Sequence, residues 1–231
     1  FPSLCRQSLM AISTICLNTA SGLYGDAAIA AMSVVSRVMT MANSALIGFG
    51  QGFQPVCGFN YGAKLYDRVR EGFRFCVKWG TLFLVAAGIA GYIFAPQLVA
   101  IFRDDPEVVA FGTVAMRCQC VTFPLAAYAL VSNMMTQTMG KTVPATILAA
   151  ARQGLFFIPA VLLMPLWLDQ LGVQLAQSVA DVLSFALTMV MMHRVFRNLK
   201  AEEHAAMLLR HQRTSEEHYS VEIAPGMPET P

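Results

Sequence analysis

The chain has 231 residues, of which 56% are hydrophobic and 13% charged, with a formal net charge of +2. A soluble protein of this size needs a mostly polar exterior, which this composition with its mean hydropathy of +0.54 does not supply. The small positive excess comes with no stripe of basic residues interleaved with stacking aromatics, which argues against a nucleic-acid partner. The implied solvent is lipid: about 20 apolar residues cross a bilayer core of ~30 Å as a helix, and residues 79–102 run without a charge.

Apolar runs broken by turn signals predict an all-α, polytopic membrane protein, a bundle of six transmembrane helices. The first covers residues 3–23 and closes on the turn at Gly22, Gly25 and Asp26. Its Gln7, Thr14, Asn18 and Ser21 recur at steps of seven, four and three, one face of a helix. The second covers 28–53, where Ser33, Arg37, Thr40 and Ser44 repeat the pattern. Its exit reads Gly48-Phe49-Gly50-Gln51-Gly52-Phe53-Gln54-Pro55, then Gly58-Phe59-Asn60-Tyr61-Gly62-Ala63. Glycines allow close approach and Pro55 removes an amide donor, so Gly50, Gly52 and Pro55 are candidates for a hinge, or for a tight exit without motion. The third helix covers 75–95 and stops at Pro96. The fourth covers 109–139, with Arg117, Pro124, Tyr128 and Ser132 on one face and Gln119, Asn133 and Gln137 elsewhere around it. The fifth covers 143–166 with Pro159 and Pro165 near its end. The sixth covers 173–195. Arg152 and Asp181 interrupt these last two.

Residues 1–198 thus form the membrane lobe and 199–231 a cytoplasmic tail. In the tail a short amphipathic helix over 202–213 precedes a disordered stretch from Thr214. His204, His211 and His218 recur every seven residues, ~10 Å apart on a helix, too far for one metal ion. The six cysteines lie in or beside spans without a C-x-x-C pair, so they read as small apolar filler and no metal site is predicted. The chain opens on Phe-Pro without a signal-peptide pattern, so a longer natural protein extending N-terminally is expected.

Connection charges set the orientation. Arg6, Lys64, Arg68, Arg70, Arg74, Lys78, Lys141, Arg194, Arg197 and Lys200 fall on one side, against Arg103 alone on the other. The positive-inside rule places both termini in the cytoplasm.

Four charges, Arg37, Arg117, Arg152 and Asp181, lie well inside predicted spans. Facing lipid together they would cost on the order of 10 to 14 kcal/mol, so most must face protein or water. If the fifth and sixth helices turn near Leu166 and Trp167, Arg152 and Asp181 are equidistant from that turn and share a depth. They are expected to meet, either as a gate or coupling pair or as a structural tie. The polar stripes suit either interhelical hydrogen bonding or a wet cavity. The cavity reading names Gln7, Asn18, Arg37, Arg117, Tyr128 and Asn133, with Asn18, Arg37 and Arg117 converging.

The run at 48–63, with Ser36-Arg37, Met116-Arg117, Gly140-Lys141, Arg152-Gln153-Gly154 and Ile158-Pro159, resembles the multidrug and toxic compound extrusion (MATE) transporters. The resemblance spans about residues 1–198 and is strongest at the exit of the second helix. It implies the C-terminal lobe of a twelve-helix, two-lobed transporter of a bacterial inner membrane. Such a protein exchanges sodium or protons for organic, often cationic, drugs by alternating access, without a cofactor. Its implied partners are the lipid bilayer, small organic substrates and a missing N-terminal lobe. Some members carry acidic residues on the first and fourth helices of this lobe. Here neither helix has an embedded Asp or Glu, and Arg6-Gln7 and Arg117 stand nearby, which moves an ion site towards the other half.

Three further readings compete. A flippase for lipid-linked sugars or polysaccharides suits arginines in a cavity, which match anionic headgroups. An intramembrane enzyme would need His, paired carboxylates or a metal in the membrane, yet every histidine lies at or beyond position 193. A scaffold without transport leaves the polar stripes unexplained.

Overall fold

The computed structural model describes residues 2–222, and among these every regular element is helical. Helices α1 (Pro2–Gly22) and α2 (Asp26–Gly62) form the first hairpin, and α3 (Tyr66–Ile93) returns. The short α4 (Ala95–Phe102) leads into α5 (Pro106–Thr138). The following crossing is interrupted: α6 (Thr142–Ala150), a π-helical turn (Ala151–Leu155), then α7 (Phe157–Leu163). Last comes α8 (Pro165–Glu222), broken near its start by Asp169 at φ +48°. By length and hydropathy α2, α3, α5 and the 165–205 part of α8 each suffice to cross a membrane. With 21 residues α1 has spanning length, diluted by its polar stripe.

Several boundaries differ from expectation, each for a local reason. Pro55 does not end α2, which continues to Gly62. A proline removes one ladder bond, and packing of the following turn holds the helix: a Cβ on Gly58 would sit 3.1 Å from Thr138 Cγ2 of α5. Pro96 does not simply stop the third span. It occupies the first turn of α4, where its missing N–H has no partner to lose. Pro124 lies inside an unbroken α5. The fifth span is discontinuous where one helix was expected. The tail helix does not stop at Arg213, because no Gly or Pro intervenes between Gly172 and Pro225, and α8 runs to Glu222. Residues 223–231 lie outside the described part.

The turn into α8 needs glycine at one point. Gly172 packs so close to the end of α7 that a Cβ there would run into the Met164 carbonyl.

Helix α5 is the axis of the bundle, packed against α2, α3 and α8. Ala115, Met116, Val131 and Met135 along it are fully buried. One core joins Ala31, Val35, Val99, Met116, Phe123 and Val173 towards the loop that contains Asp105. A second, towards the tail, joins Phe53, Val69, Phe73, Met135, Met192 and Leu199. Helices α2 and α5 run in parallel: Gly112 abuts Ala31, and Met134 lies over Gly50.

Candidate functional site

The π turn carries the arginine of the expected pair. The Phe156 amide donates to the Ala151 carbonyl at 3.0 Å, one residue further along than an α-helical bond. The extra residue re-aims the turn so that Arg152 Nε donates to Asp181 Oδ1 of α8 at 2.8 Å. Gln177 Nε2, one turn earlier on α8, donates to the same oxygen at 3.2 Å. The Asp181 side chain is 5% exposed and that of Arg152 24%. The turn is pinned from behind by α1: a Cβ on Gly154 would collide with the Leu9 side chain. Two residues found by depth alone therefore touch, and the pair ties a broken span to an intact one.

The other predicted site residues are not gathered in one place. Asn18 and Arg37 are exposed, as are Thr14, Ser36, Thr40 and Ser44. The hydroxyls on this face bond their own helices: Thr14 to the Met10 carbonyl at 2.9 Å, Thr40 to Ser36 at 2.7 Å, Ser44 to Thr40 at 2.8 Å. They do not glue α1 to α2. Arg37 stands on α2 away from Ala31 and Gly50, the positions that meet α5, by roughly 130° at 100° per residue. Arg117 leans the other way, onto α3. Its Nε donates to the Tyr92 carbonyl at 3.4 Å, and its guanidinium carbon lies 5.3 Å from the Tyr92 ring centre. Arg117 therefore does not converge with Arg37. The Gln7 side chain lies outside the described residues.

Tyr128 and Asn133 serve the interior. The Tyr128 ring packs edge-on against Phe73 at 5.8 Å and Phe185 at 5.5 Å, joining α3, α5 and α8. Asn133 Nδ2 donates to the Ala145 carbonyl at 2.7 Å and ties α5 to α6, while its Oδ1 accepts from Gln137. Of the hinge candidates, Gly50 is buried under Met134, and a side chain there would meet its sulfur. Gly52 faces open space. An apolar cavity of about 340 Å³ opens between α2, α3, α4 and α5, lined by Val38, Ala42, Gly91, Leu98, Met116 and Phe123, and none of the predicted site residues borders it.

Two features escaped the sequence reading. The buried face of α8 is polar for several turns, through Gln174, Ser178, Asp181, Ser184 and Thr188. Its i, i+4, i+7, i+10, i+14 spacing was visible, but it was overshadowed by the apolar residues between. The second is a clamp at the far end of α8. Glu202 Oε2 accepts from the Tyr61 hydroxyl at 3.3 Å and Oε1 from Lys141 Nζ at 3.4 Å, while Arg70 bridges Asp67 and Glu203.

The profile of the MatE family matches residues 2–163. The chain is 25% identical over 166 residues to the multidrug export protein MepA of Staphylococcus saprophyticus, covering 71% of this chain and 36% of that protein. To MepA of Staphylococcus aureus it is 22% identical over 192 residues, covering 83% and 42%. Among solved structures, the Vibrio cholerae MATE transporter VcmN in the bent form superposes with a TM-score of 0.81 at 19% identity. That likeness covers 87% of this chain and 46% of that one. The chain thus spans less than half the length of these relatives.

Proposed function

This chain belongs to the MatE family of multi-pass membrane transport proteins, and from that premise we propose that it is the C-terminal lobe of a cation-coupled multidrug exporter. In this reading a second, N-terminal lobe completes the transporter, and sodium or protons entering drive small organic molecules out by alternating access. The observation that carries it is the polar face of α1 and α2. Thr14, Asn18, Ser36, Arg37, Thr40 and Ser44 are exposed there, beside apolar residues such as Ile12, Ile15, Met41 and Ile47. Arg37 lies 11 residues into α2, ~16 Å from its start at 1.5 Å per residue. Against lipid at that depth the arginine would cost roughly 2.5–3.5 kcal/mol. Against a water-filled cleft between two lobes it costs little, and substrate sites of repeat-built transporters lie in such clefts near the midplane.

A second reading, a flippase or exporter for lipid-linked oligosaccharides or polysaccharides, is favoured by one observation. Arg37 has no ion-pair partner among the described residues, and the carboxylate on its face of α2, Asp26, lies three turns away, ~16 Å along the helix. A bare guanidinium suits a phosphate or carboxylate better than a cationic drug.

The test uses the full transporter that contains this lobe, reconstituted in liposomes, with a cationic dye and a lipid-linked sugar as alternative substrates. Dye export driven by a sodium or proton gradient, lowered severalfold by Arg37→Leu with unchanged membrane insertion, is the expected result. Movement of the sugar alone would replace it by the second reading, and movement of neither would reject both.

A further inference from the structure

Along α8 the buried face changes character at one point. From Gln174 through Ser178, Asp181 and Ser184 to Thr188, every one of these polar side chains is at most 6% exposed. From Met192 through Val195 to Leu199 the same face is apolar and equally buried. Thr188 lies 14 positions after Gln174, ~21 Å of helix rise, most of a bilayer's hydrocarbon thickness. Its lower end meets the aromatic cluster of Phe73, Tyr128, Phe185 and Phe196.

The column also has more acceptors than the protein uses. Gln174 donates its amide to the Phe111 carbonyl at 3.2 Å, leaving its Oε1 buried with no partner. Ser178 Oγ and Ser184 Oγ, one turn to either side of Asp181, are likewise buried without a partner. A buried polar atom left unsatisfied is costly, and hydrocarbon offers no water to relieve it. An ion pair that served only to tie α8 to the π turn would need none of these three oxygens. Ser178 and Ser184 flank the carboxylate and Gln174 lies two turns nearer the Pro165 end, a file of lone pairs that suits water or a small hard cation, for which oxygen is the preferred ligand.

We propose that the buried polar face of α8 is a hydrated half-channel that leads a small hard cation, a proton carried on water or Na⁺, to the Arg152–Asp181 pair. It opens at the Pro165 end and is plugged by Met192, Val195 and Phe196. A cation arriving at Asp181 competes with the Arg152 guanidinium for the carboxylate. It thereby loosens the π turn from α8; the Ser178 and Ser184 oxygens on either side stabilise the added positive charge, and Gln174 lies on the way in. Arg152 is the one charged group in contact with Asp181 among the described residues. On α5 the charges are Glu107 and Arg117, the latter held on Tyr92. On α3 they lie between Asp67 and Lys78 at the opposite end, and α6 and α7 carry none. On α1 Arg6 is the one charge, and its side chain is outside the described residues. The idea deepens the cation-coupled reading above by naming where in this lobe the coupling cation binds.

The experiment is solvent accessibility in the full transporter with its native cysteines replaced. Single cysteines at Ser178, Ser184 and Val195 are exposed to a small, membrane-impermeant, charged thiol reagent from each side. Ser178→Cys and Ser184→Cys should react from the side of the 165–172 turn, at least tenfold faster than Val195→Cys. Relative to an exposed reference cysteine at Asp104 under the same conditions, which cancels the loss of thiolate on acidification, either Na⁺ at fixed pH or acid in sodium-free buffer should slow that reaction severalfold, and which does so identifies the cation. Asp181→Asn should abolish the protection. Equal, negligible labelling at all three positions, or labelling without protection by either cation, would reduce the column to a sealed or merely wet structural seam and overturn the proposal. Dye export is measured on the same liposomes. Protection without dye export sinks the transport reading and leaves the cation site standing, whereas export without protection does the reverse.

Discussion

The guanidinium of Arg152 and the carboxylate of Asp181 each give up hydration that a membrane interior does not return, so neither is tolerable without the other. Removing one partner leaves an uncompensated buried charge, a loss of about 3–5 kcal/mol, whereas replacing both by apolar residues of similar volume is close to neutral. Arg152→Met or Asp181→Leu alone should therefore lower the denaturation midpoint of the detergent-solubilised transporter well below that of the double variant. A double variant no more stable than the single ones would show that the pair's geometry, rather than its charge balance, holds the π turn on α8. The pair was legible in the sequence because an antiparallel hairpin makes depth a matter of counting from the turn. Arg117, Tyr128 and Asn133 were misjudged for the opposite reason. Periodicity says which side chains share a face of one helix, but not which neighbour covers that face. Tyr92 lies against Arg117 from α3, Phe73 and Phe185 enclose the Tyr128 ring, and Ala145 offers Asn133 its carbonyl. Those partners come from elements distant in sequence.

Helices were legible as runs, whereas their interruptions were not, because a proline or glycine acts according to what packs beside it. The fifth span breaks in the Arg152-Gln153-Gly154 stretch, which contains no proline, while α2 and α5 pass through theirs. On α2 the two hinge glycines face different surroundings, and opposite outcomes follow. Gly52→Ala meets nothing within 4 Å and should raise stability by about 0.5–1 kcal/mol, since alanine loses less backbone entropy in a helix. Gly50→Leu must displace Met134 and should destabilise. If this end of α2 bends during transport, Gly52→Ala should also slow export while the thermal midpoint rises. Export unchanged in a stabilised Gly52→Ala protein would remove the hinge and leave only the packing role of Gly50.

Across the whole molecule, the clamp shows which connections share one end of the bundle. Through Glu202 and Glu203, the distal part of α8 touches the exit of α2 at Tyr61, the start of α3 at Arg70 and the α5–α6 turn at Lys141. These elements share one end of the bundle, and they carry most of the basic residues of the connections. Opposite them lie Asp104, Asp105 and Asp169. Because short basic connections are retained in the cytoplasm, the clamped end should be cytoplasmic. Cysteine probes need positions where the replacement does no harm. Asp105 caps α5 by accepting from the Glu107 amide at 3.0 Å, and Lys64 and Asp169 sit at positive φ. Asp104, Trp167, Arg68 and Thr142 are exposed alternatives. In intact cells and a background without native cysteines, an impermeant thiol reagent should label Asp104→Cys and Trp167→Cys directly. Arg68→Cys and Thr142→Cys should be labelled only after the membrane is opened. The reversed pattern would invert the lobe, turn the Pro165 mouth of the α8 column towards the cytoplasm, and require the driving cation to enter from there.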